Sequence, residues 1–403
     1  MSRTATLVAL AFIFAAGHLE AQLPYGRGYY LDVALWSDST ALSRGGVQDV
    51  QRLRLMVEPG WGPFSLDAAY EHVLTFFENR QAEAGGVFPG GVVPAGGEWL
   101  DLQWTVADDD RLAWRHRFDR LALTYSPDLP VRIAVGRQTI SWATTLFLTP
   151  ADPFAPFDPA DPFREYRAGV DALRIHVYPG QFTDVDLVLR ASDSPTGESL
   201  TALARGRTVW RGWELSAWAG ALHEEPAAAI ATTGALGQAA LRGELSLREV
   251  NNDGPAWRGA LGVDTRVDAF SRDLYLVAEY QHDDLGAADP EELLRVVESE
   301  PFQRGELQVL SRDVMAGEAS YQVHPLLSAE LLILWSLSDG SALLSPAVTY
   351  NLADEAVARA GLFFGAGNDR SSDGGNGSNN PLSVPSEFGL TPTILYASLS
   401  LFF

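Results

Sequence analysis

The last residues of the chain are Thr391-Pro392-Thr393-Ile394-Leu395-Tyr396-Ala397-Ser398-Leu399-Ser400-Leu401-Phe402-Phe403. Thr393, Leu395, Ala397, Leu399, Leu401 and Phe403 form one mainly apolar phase, and the chain ends on an aromatic. A period of two is that of a strand whose two faces meet different surroundings.

The same unit, an alternating stretch of about ten residues followed by a turn, recurs along the whole chain. Leu31, Val33 and Leu35 share a phase, as do Leu53, Leu55 and Val57 against Arg52, Arg54 and Met56. Pro59-Gly60-Trp61-Gly62-Pro63 makes a tight turn. Leu121, Leu123 and Tyr125 alternate with Arg120, and Val131, Ile133 and Val135 with Arg132. Leu173, Ile175 and Val177 alternate with Arg174, Leu241, Leu245 and Leu247 with Arg242, Glu244 and Arg248. One phase carries charge repeatedly and the other rarely does, which suits a sheet with lipid outside and a wet lumen inside.

The N-terminus sets the compartment. Arg3, the apolar run Leu7 to Ala16 and the small or polar Gly17 to Ala21 read as a signal peptide over 1–21, cleaved after Ala21. After Ala21 no stretch approaches the 18 or so apolar residues of a membrane helix. The longest, Leu326 to Leu337, is broken by Ser328, Glu330 and Ser336. Residues 22–403 are therefore expected to form a single β-barrel domain. The chain has no cysteine, and a ladder that closes on itself needs no disulfide. Its net charge of −23 argues against nucleic-acid binding. Every basic residue is arginine, the better partner for carboxylates in a crowded lumen.

The C-terminal strand resembles that of bacterial outer-membrane β-barrels, whose last strand ends in phenylalanine after alternating apolar residues. The resemblance implies that this strand is read by the barrel-assembly machinery and closes the barrel in the outer membrane of a Gram-negative cell. Alternation and turn signals give about 17 candidate strands, and such barrels usually hold an even number. The reading is a transmembrane antiparallel barrel of about 16 strands, with 18 as the alternative. The parity slips between Pro179 and Asp284, where Thr201 to Leu222 reads either as a hairpin or as one bent strand. Four long connections are expected on the extracellular side: Phe77 to Arg111, Gln138 to Arg167, Leu285 to Gln303 and Gly367 to Phe388. Within the third, Asp289-Pro290-Glu291-Glu292 starts a short capped helix.

The second connection holds the most unusual stretch, Gly136-Arg137-Gln138-Thr139-Ile140-Ser141-Trp142 leading into Pro150-Ala151-Asp152-Pro153-Phe154-Ala155-Pro156-Phe157-Asp158-Pro159-Ala160-Asp161-Pro162-Phe163. Proline at this density cannot pair in a sheet, and the phenylalanines favour burial. The segment is expected to fold inward. It joins the fifth and sixth strands by count, the place where general porins bend a loop into the lumen. Gly136 to Arg174 is also similar to substrate-specific and polysaccharide-export barrels, which carry a Gly-Arg-Gln segment near a tryptophan.

These resemblances imply a channel for small polar or charged solutes. Asp152, Asp158 and Asp161 would sit on the loop, opposite Arg52, Arg54, Arg120, Arg132 and Arg174 of the wall, with Arg137, Arg164 and Arg167 bracketing it. Opposed charges in a narrow passage orient and sieve solutes; the same residues could equally be ion pairs that only fill the lumen. Two further readings stand beside the channel: an export or import barrel for an acidic polysaccharide or other specific anion, and a structural barrel plugged by its own loops. No catalytic site, metal site or cofactor is expected. His282-Asp283-Asp284 is the one tempting cluster, and His282 and Asp283 would point to opposite faces. The expected partners are outer-membrane lipid, the assembly machinery, small solutes and further copies of the chain in a homo-trimer.

Overall fold

The computed structural model describes residues 26–40, 44–78, 97–154, 163, 166–250, 254–368 and 384–403. The expected signal peptide and the site candidates Asp158, Asp161 and Arg164 lie outside them.

Twenty strands follow in order: β1 Gly26–Ser37, β2 Gly46–Val57, β3 Gly60–Trp61, β4 Phe64–Phe77, β5 Gln103–Asp108, β6 Leu112–Tyr125, β7 Val131–Gln138, β8 Val170–Gly180, β9 Thr183–Ser194 and β10 Gly197–Trp210. They continue with β11 Trp213–Leu222, β12 Glu225–Leu236, β13 Ala239–Val250, β14 Gly254–Ala269, β15 Arg272–Asp283, β16 Asp313–His324, β17 Leu327–Ser336, β18 Ala342–Ala353, β19 Ala356–Ala366 and β20 Ile394–Phe402. All pair antiparallel, each with its neighbour, and β20 returns to β1. Closure leaves no sheet edge, which is what lets strands cross a bilayer. At the seam Gly28 and Phe403 exchange backbone hydrogen bonds of 2.7 and 3.0 Å.

Two strands stand outside the ring. β3 pairs only with the start of β4 in the tight turn, and β5 adds to the upper half of β6. The barrel therefore has 18 strands, and the expectation of about 16 is corrected. The shortfall lies where the parity slipped. Thr201 to Leu222 is a true hairpin, β10 and β11, turning at Arg211-Gly212 with φ of 50° and 83°. Such left-handed pairs match the twist of two-residue hairpins. β12 was not among the candidates: Pro226-Ala227-Ala228-Ala229-Ile230-Ala231 puts small residues on both faces, so it lacks the large-against-charged contrast that marks the others.

The four long connections fall on one side of the barrel, opposite the termini. The third contains α1 Leu293–Glu298 and α2 Glu300–Gln303 behind a 3-10 turn. Asp289 caps that turn by accepting from the Glu291 amide at 3.0 Å.

Side-chain phase follows the expected rule on most strands, with Leu55, Val135, Leu261 and Leu395 exposed on the outside. β1 reverses it. Leu31, Val33 and Leu35 are buried on the inside, while Asp32 shares the outer phase with the exposed Trp36. The inner apolar row exists because the lumen beside it is filled by protein.

Candidate constriction of the lumen

The described residues of the segment between β7 and β8, 139–154, 163 and 166–169, are the filling. Gly136 opens it. Its φ of 116° is open to glycine, and an added Cβ would lie 2.2 Å from the Leu121 carbonyl oxygen. Ile140, Trp142, Ala151 and Phe154 then pack on Val188, Leu203, Trp218 and Ala229 of the inner wall. Between Trp142 and Ala151, Phe147 and Leu148 join the β1 row, and Phe163 sets its ring edge-on to Tyr396 with centroids 4.9 Å apart. The described residues 139–154 thus form a strap along the inside of the wall, reaching from β9–β12 across β13 to β15 and the β1 row at Leu148 and returning to β9–β12 at Ala151 and Phe154.

Two glutamates hold it. Glu279 on β15 accepts backbone amides of Leu146, Phe147 and Leu148 at 2.6, 2.9 and 2.9 Å. Glu244 on β13 accepts those of Thr144 and Ala151 at 2.9 and 3.0 Å. Gln308 adds a bond from the Thr149 amide, 2.6 Å, and donates to the Phe147 carbonyl at 2.7 Å. A proline-rich segment cannot satisfy its amides in a ladder, so fixed carboxylates do it. The sequence reading passed over Glu279, and Glu244 was noted only as one of many charges on the polar phase. Nothing local marks them, since their partners lie about 100 to 130 residues away.

Asp152 does not front the passage. It is buried, accepts from Ser141 Oγ at 2.8 Å and the amides of Trp142 and Phe154 at 3.1 Å, and pairs with Arg167 at 3.1 Å. Burial pushes its carboxyl up, against the pull of Arg167 and those donors. It ties the strap to itself.

The expected wall arginines divide. Arg54 is buried between Glu71 and Asp119, the latter at 2.7 Å, with its guanidinium 4.6 Å from the Tyr166 ring of the strap. A register shift between β4 and β6 leaves Asp119 as the extra residue that reaches it. Arg137 is sealed in the wall by Glu98 at 2.7 Å, Asp171 at 2.9 Å and the carbonyls of Leu100 and Phe118. It is a structural residue of the wall and does not line the passage, contrary to the expectation from sequence. Arg174 pairs with Asp186 at 2.6 Å, and Trp142 Nε1 donates to the same carboxylate at 3.1 Å. Arg52 donates to the Phe163 carbonyl at 3.2 Å. Arg120 stands 4.0 Å from Asp67. Arg132 is exposed on the inner phase, beside His176 of β8, and makes no ion pair among the described residues.

Other arginines complete the inner face. Arg205 stands 3.9 Å from Asp184 and over the Trp142 ring. Arg190, Arg248, Arg258 and Arg304 surround the strap at Pro150 to Pro153, with Glu306 among them. In the turn just above, burial and then Arg190, Arg304 and Arg248 hold the His223 imidazole down to about 3, so it stays neutral. Arg248 sits on the polar phase that the alternation marked, whereas Arg205 lies in the stretch Thr201 to Leu222 that the alternation left open.

His282 faces Asp313 at 2.8 Å and Asp284 at 3.2 Å on the outer rim, while Asp283 turns inward to Arg258. Among the described residues no group of three or more His, Asp and Glu is arranged to hold a metal, and no helix is long and apolar enough to cross a membrane.

No protein-family model and no curated protein sequence matches the chain. Solved structures do match. A BenF-like porin from Pseudomonas fluorescens Pf-5 is similar with a TM-score of 0.52 at 10% identity, over 94% of this chain and 98% of that one. The outer membrane protein opdK of Pseudomonas aeruginosa scores 0.53 at 9%, over 94% and 99%. OccAB2 of Acinetobacter baumannii scores 0.53 at 7%, over 94% and 97%. The fold is that of the outer-membrane porins.

Proposed function

We infer that the protein is a channel through which small polar or charged solutes cross the outer membrane, with the strap as its constriction and anions as its preferred cargo. The observation that carries this is the fate of the charges. Of the three strap acids expected to face the wall, the described one, Asp152, is buried and paired, whereas Arg52, Arg120, Arg132 and Arg205 have no carboxylate closer than 3.9 Å among the described residues. Fixed positive charge on one wall of a narrow passage favours anions.

In the same reading, residues 22–403 are the mature barrel, the first 21 its export signal, and β20 the strand presented to the assembly machinery. The test is planar-bilayer conductance of the refolded chain, with the reversal potential taken in a salt gradient. Stepwise channels with anion preference are expected. Replacing Arg132 and Arg205 by alanine should lower the anion-to-cation permeability ratio by about fivefold, equivalent to ~1 kcal/mol. Cation preference would overturn the arginine assignment. Absence of conductance from folded protein would overturn the channel and leave a plugged barrel.

A further inference from the structure

The wall is not alone in holding the strap. The chain that follows α2, Gly305 to Ser311, runs against it. Gln308 bonds to Thr149 and Phe147, and Val309 joins the apolar row with Leu148. At Pro150 to Pro153 this chain closes a pocket between strap and wall, lined by Arg190 of β9, Arg248 of β13, Arg258 of β14 and Arg304. The pocket lies off the passage: Arg190, Arg248 and Arg258 are 2%, 3% and 5% exposed. The wall brings Glu225 to 2.5 Å from Arg248 and Asp283 to 2.9 Å from Arg258. Asp152, which also lines the pocket, is taken up by Arg167 and by donors of the strap itself.

Glu306 comes from the connection instead. The turn after α2 delivers it. There the Gly305 amide donates to the Phe302 carbonyl at 2.9 Å and the Glu306 amide to the Pro301 carbonyl at 3.0 Å, with Gly305 at a φ of 72°. Glu306 Oε2 pairs with Arg248, and the Arg258 guanidinium donates to the Glu306 carbonyl at 2.9 Å.

The fit is incomplete. Glu306 Oε1 is buried without a hydrogen-bond partner, and so is His223 Nε2, 3.9 Å away. Arg248 Nε is a third such atom. Buried polar atoms left unpaired are costly and uncommon. The imidazole is nevertheless held firmly in place. His223 and Glu224 turn the chain with φ of 50° and 70°, a region that residues with side chains rarely adopt. The His223 amide donates to Thr201 Oγ1 at 3.0 Å, and Nδ1 lies 2.7 Å from Ser199 Oγ. With that hydroxyl donating, the neutral ring carries its hydrogen on Nε2, so Nε2 is a donor awaiting an acceptor. A carboxylate with two oxygens satisfies Arg248 Nη1 and leaves Nε2 and Arg248 Nε unmet.

We propose that this pocket is a site for a tetrahedral oxyanion of the phosphate type, and that Glu306 is its tethered substitute, which the free anion displaces. Four oxygens and a higher charge suit several guanidinium groups and an imidazole better than one carboxylate does. The departing side chain leaves the room. Its exit lifts Glu306 to Ser311 about the Gly305 turn and takes Gln308 from Thr149. The strap then rests on Glu244 and Glu279, and the constriction loosens.

As regulation of the constriction this rests on the channel reading above, but its test reads binding and exchange rather than conductance, so the two can fail separately. The probe is inorganic phosphate added to the refolded full chain, compared with chloride at equal ionic strength. Phosphate should raise amide exchange at Thr149 by at least about tenfold, while Leu146 to Leu148, held by Glu279, stay protected. Glu306→Gln should bind phosphate at least about tenfold more tightly in calorimetry, because the open pocket no longer has to be created. It should also show the raised Thr149 exchange with no phosphate present. Arg304→Gln should weaken phosphate binding by about tenfold while the barrel keeps its heat-modifiable mobility. Phosphate binding with no change at Thr149 would place the anion beside Glu306 and overturn the displacement. Wild-type affinity in folded Glu306→Gln would overturn the role of Glu306. Binding untouched by Arg304→Gln would move the anion to the arginines of the passage, and absence of binding would overturn the site itself.

Discussion

Arg54 shows how a lumen residue becomes a structural one. Its position on the polar phase of β2 is what a pore-lining arginine would have, yet it is 1% exposed. Glu71 of β4, Asp119 of β6 and the Tyr166 ring enclose it. Removing one partner of such a cluster leaves buried charges uncompensated, which typically costs about 3–5 kcal/mol. Arg54→Ala should therefore lower the temperature at which the folded band disappears on a heat-modifiability gel, with selectivity in the bilayer unchanged. Arg54→Met should be milder than the alanine variant only if Glu71 is neutralised with it. The same reasoning separates Arg137, locked into the wall by Glu98 and Asp171, from the exposed Arg132 five residues earlier.

At the scale of the element, the strap is the interesting piece because its described residues have no helix or strand to hold them. Its proline content removes donors, and the amides that remain are taken by Glu244, Glu279 and Gln308. Hydrogen bonds to an ionised acceptor contribute about 1.5–3 kcal/mol each, less when several share one carboxylate. Glu279→Ala should release residues 146–148 from β15. Amide exchange there should rise by at least about tenfold, and single-channel current should become noisier. Glu279→Gln, which keeps one acceptor oxygen, should fall between. Unchanged exchange in Glu279→Ala would mean that the apolar packing of Leu148 and Phe163 alone fixes the strap.

Across the whole molecule, described parts of the long connections touch one another at the end of the barrel opposite the termini. Residues 384–390 dock on the end of the third connection through Glu387, which accepts the amides of Leu310 and Ser311 at 2.7 and 3.0 Å. The Glu387 amide in turn donates to Asp339 at 2.6 Å. Burial, with Asp339 beside it, pushes the Glu387 carboxyl up to about 7, against the pull of those donors. A carboxyl raised on docking means that the docked state binds a proton more tightly than the free one. Docking should therefore tighten as pH falls through about 7 toward the ordinary carboxylate range, and loosen as pH rises above it. Conductance measured between pH 5 and 8 should be lowest at the acid end, and Glu387→Gln should hold the acid-end value throughout. A pH-independent wild-type channel would show that this contact does not govern the entrance.

How much of this was legible follows from where the information sits. The alternation of Leu395 to Phe403 and of a dozen similar stretches determined the barrel, because period two with one apolar face has few other stable outcomes for an exported chain. The Asp-Pro-Phe repeats marked a stretch that leaves the sheet and seeks burial, as the described Asp152, Phe154 and Phe163 do. Only the tertiary structure decided the rest. Strand number depended on the alanine-rich β12, where both faces look alike in sequence. The inward turn of Leu31, Val33 and Leu35 depended on the strap arriving from more than a hundred residues away. Which arginines face the passage and which are locked depended on carboxylates from neighbouring strands, as for Arg54 and Arg137. Phase is local and survives in one dimension; whether a charge is paired, or a face covered, is set by chain segments that the sequence separates and only the closed barrel brings together.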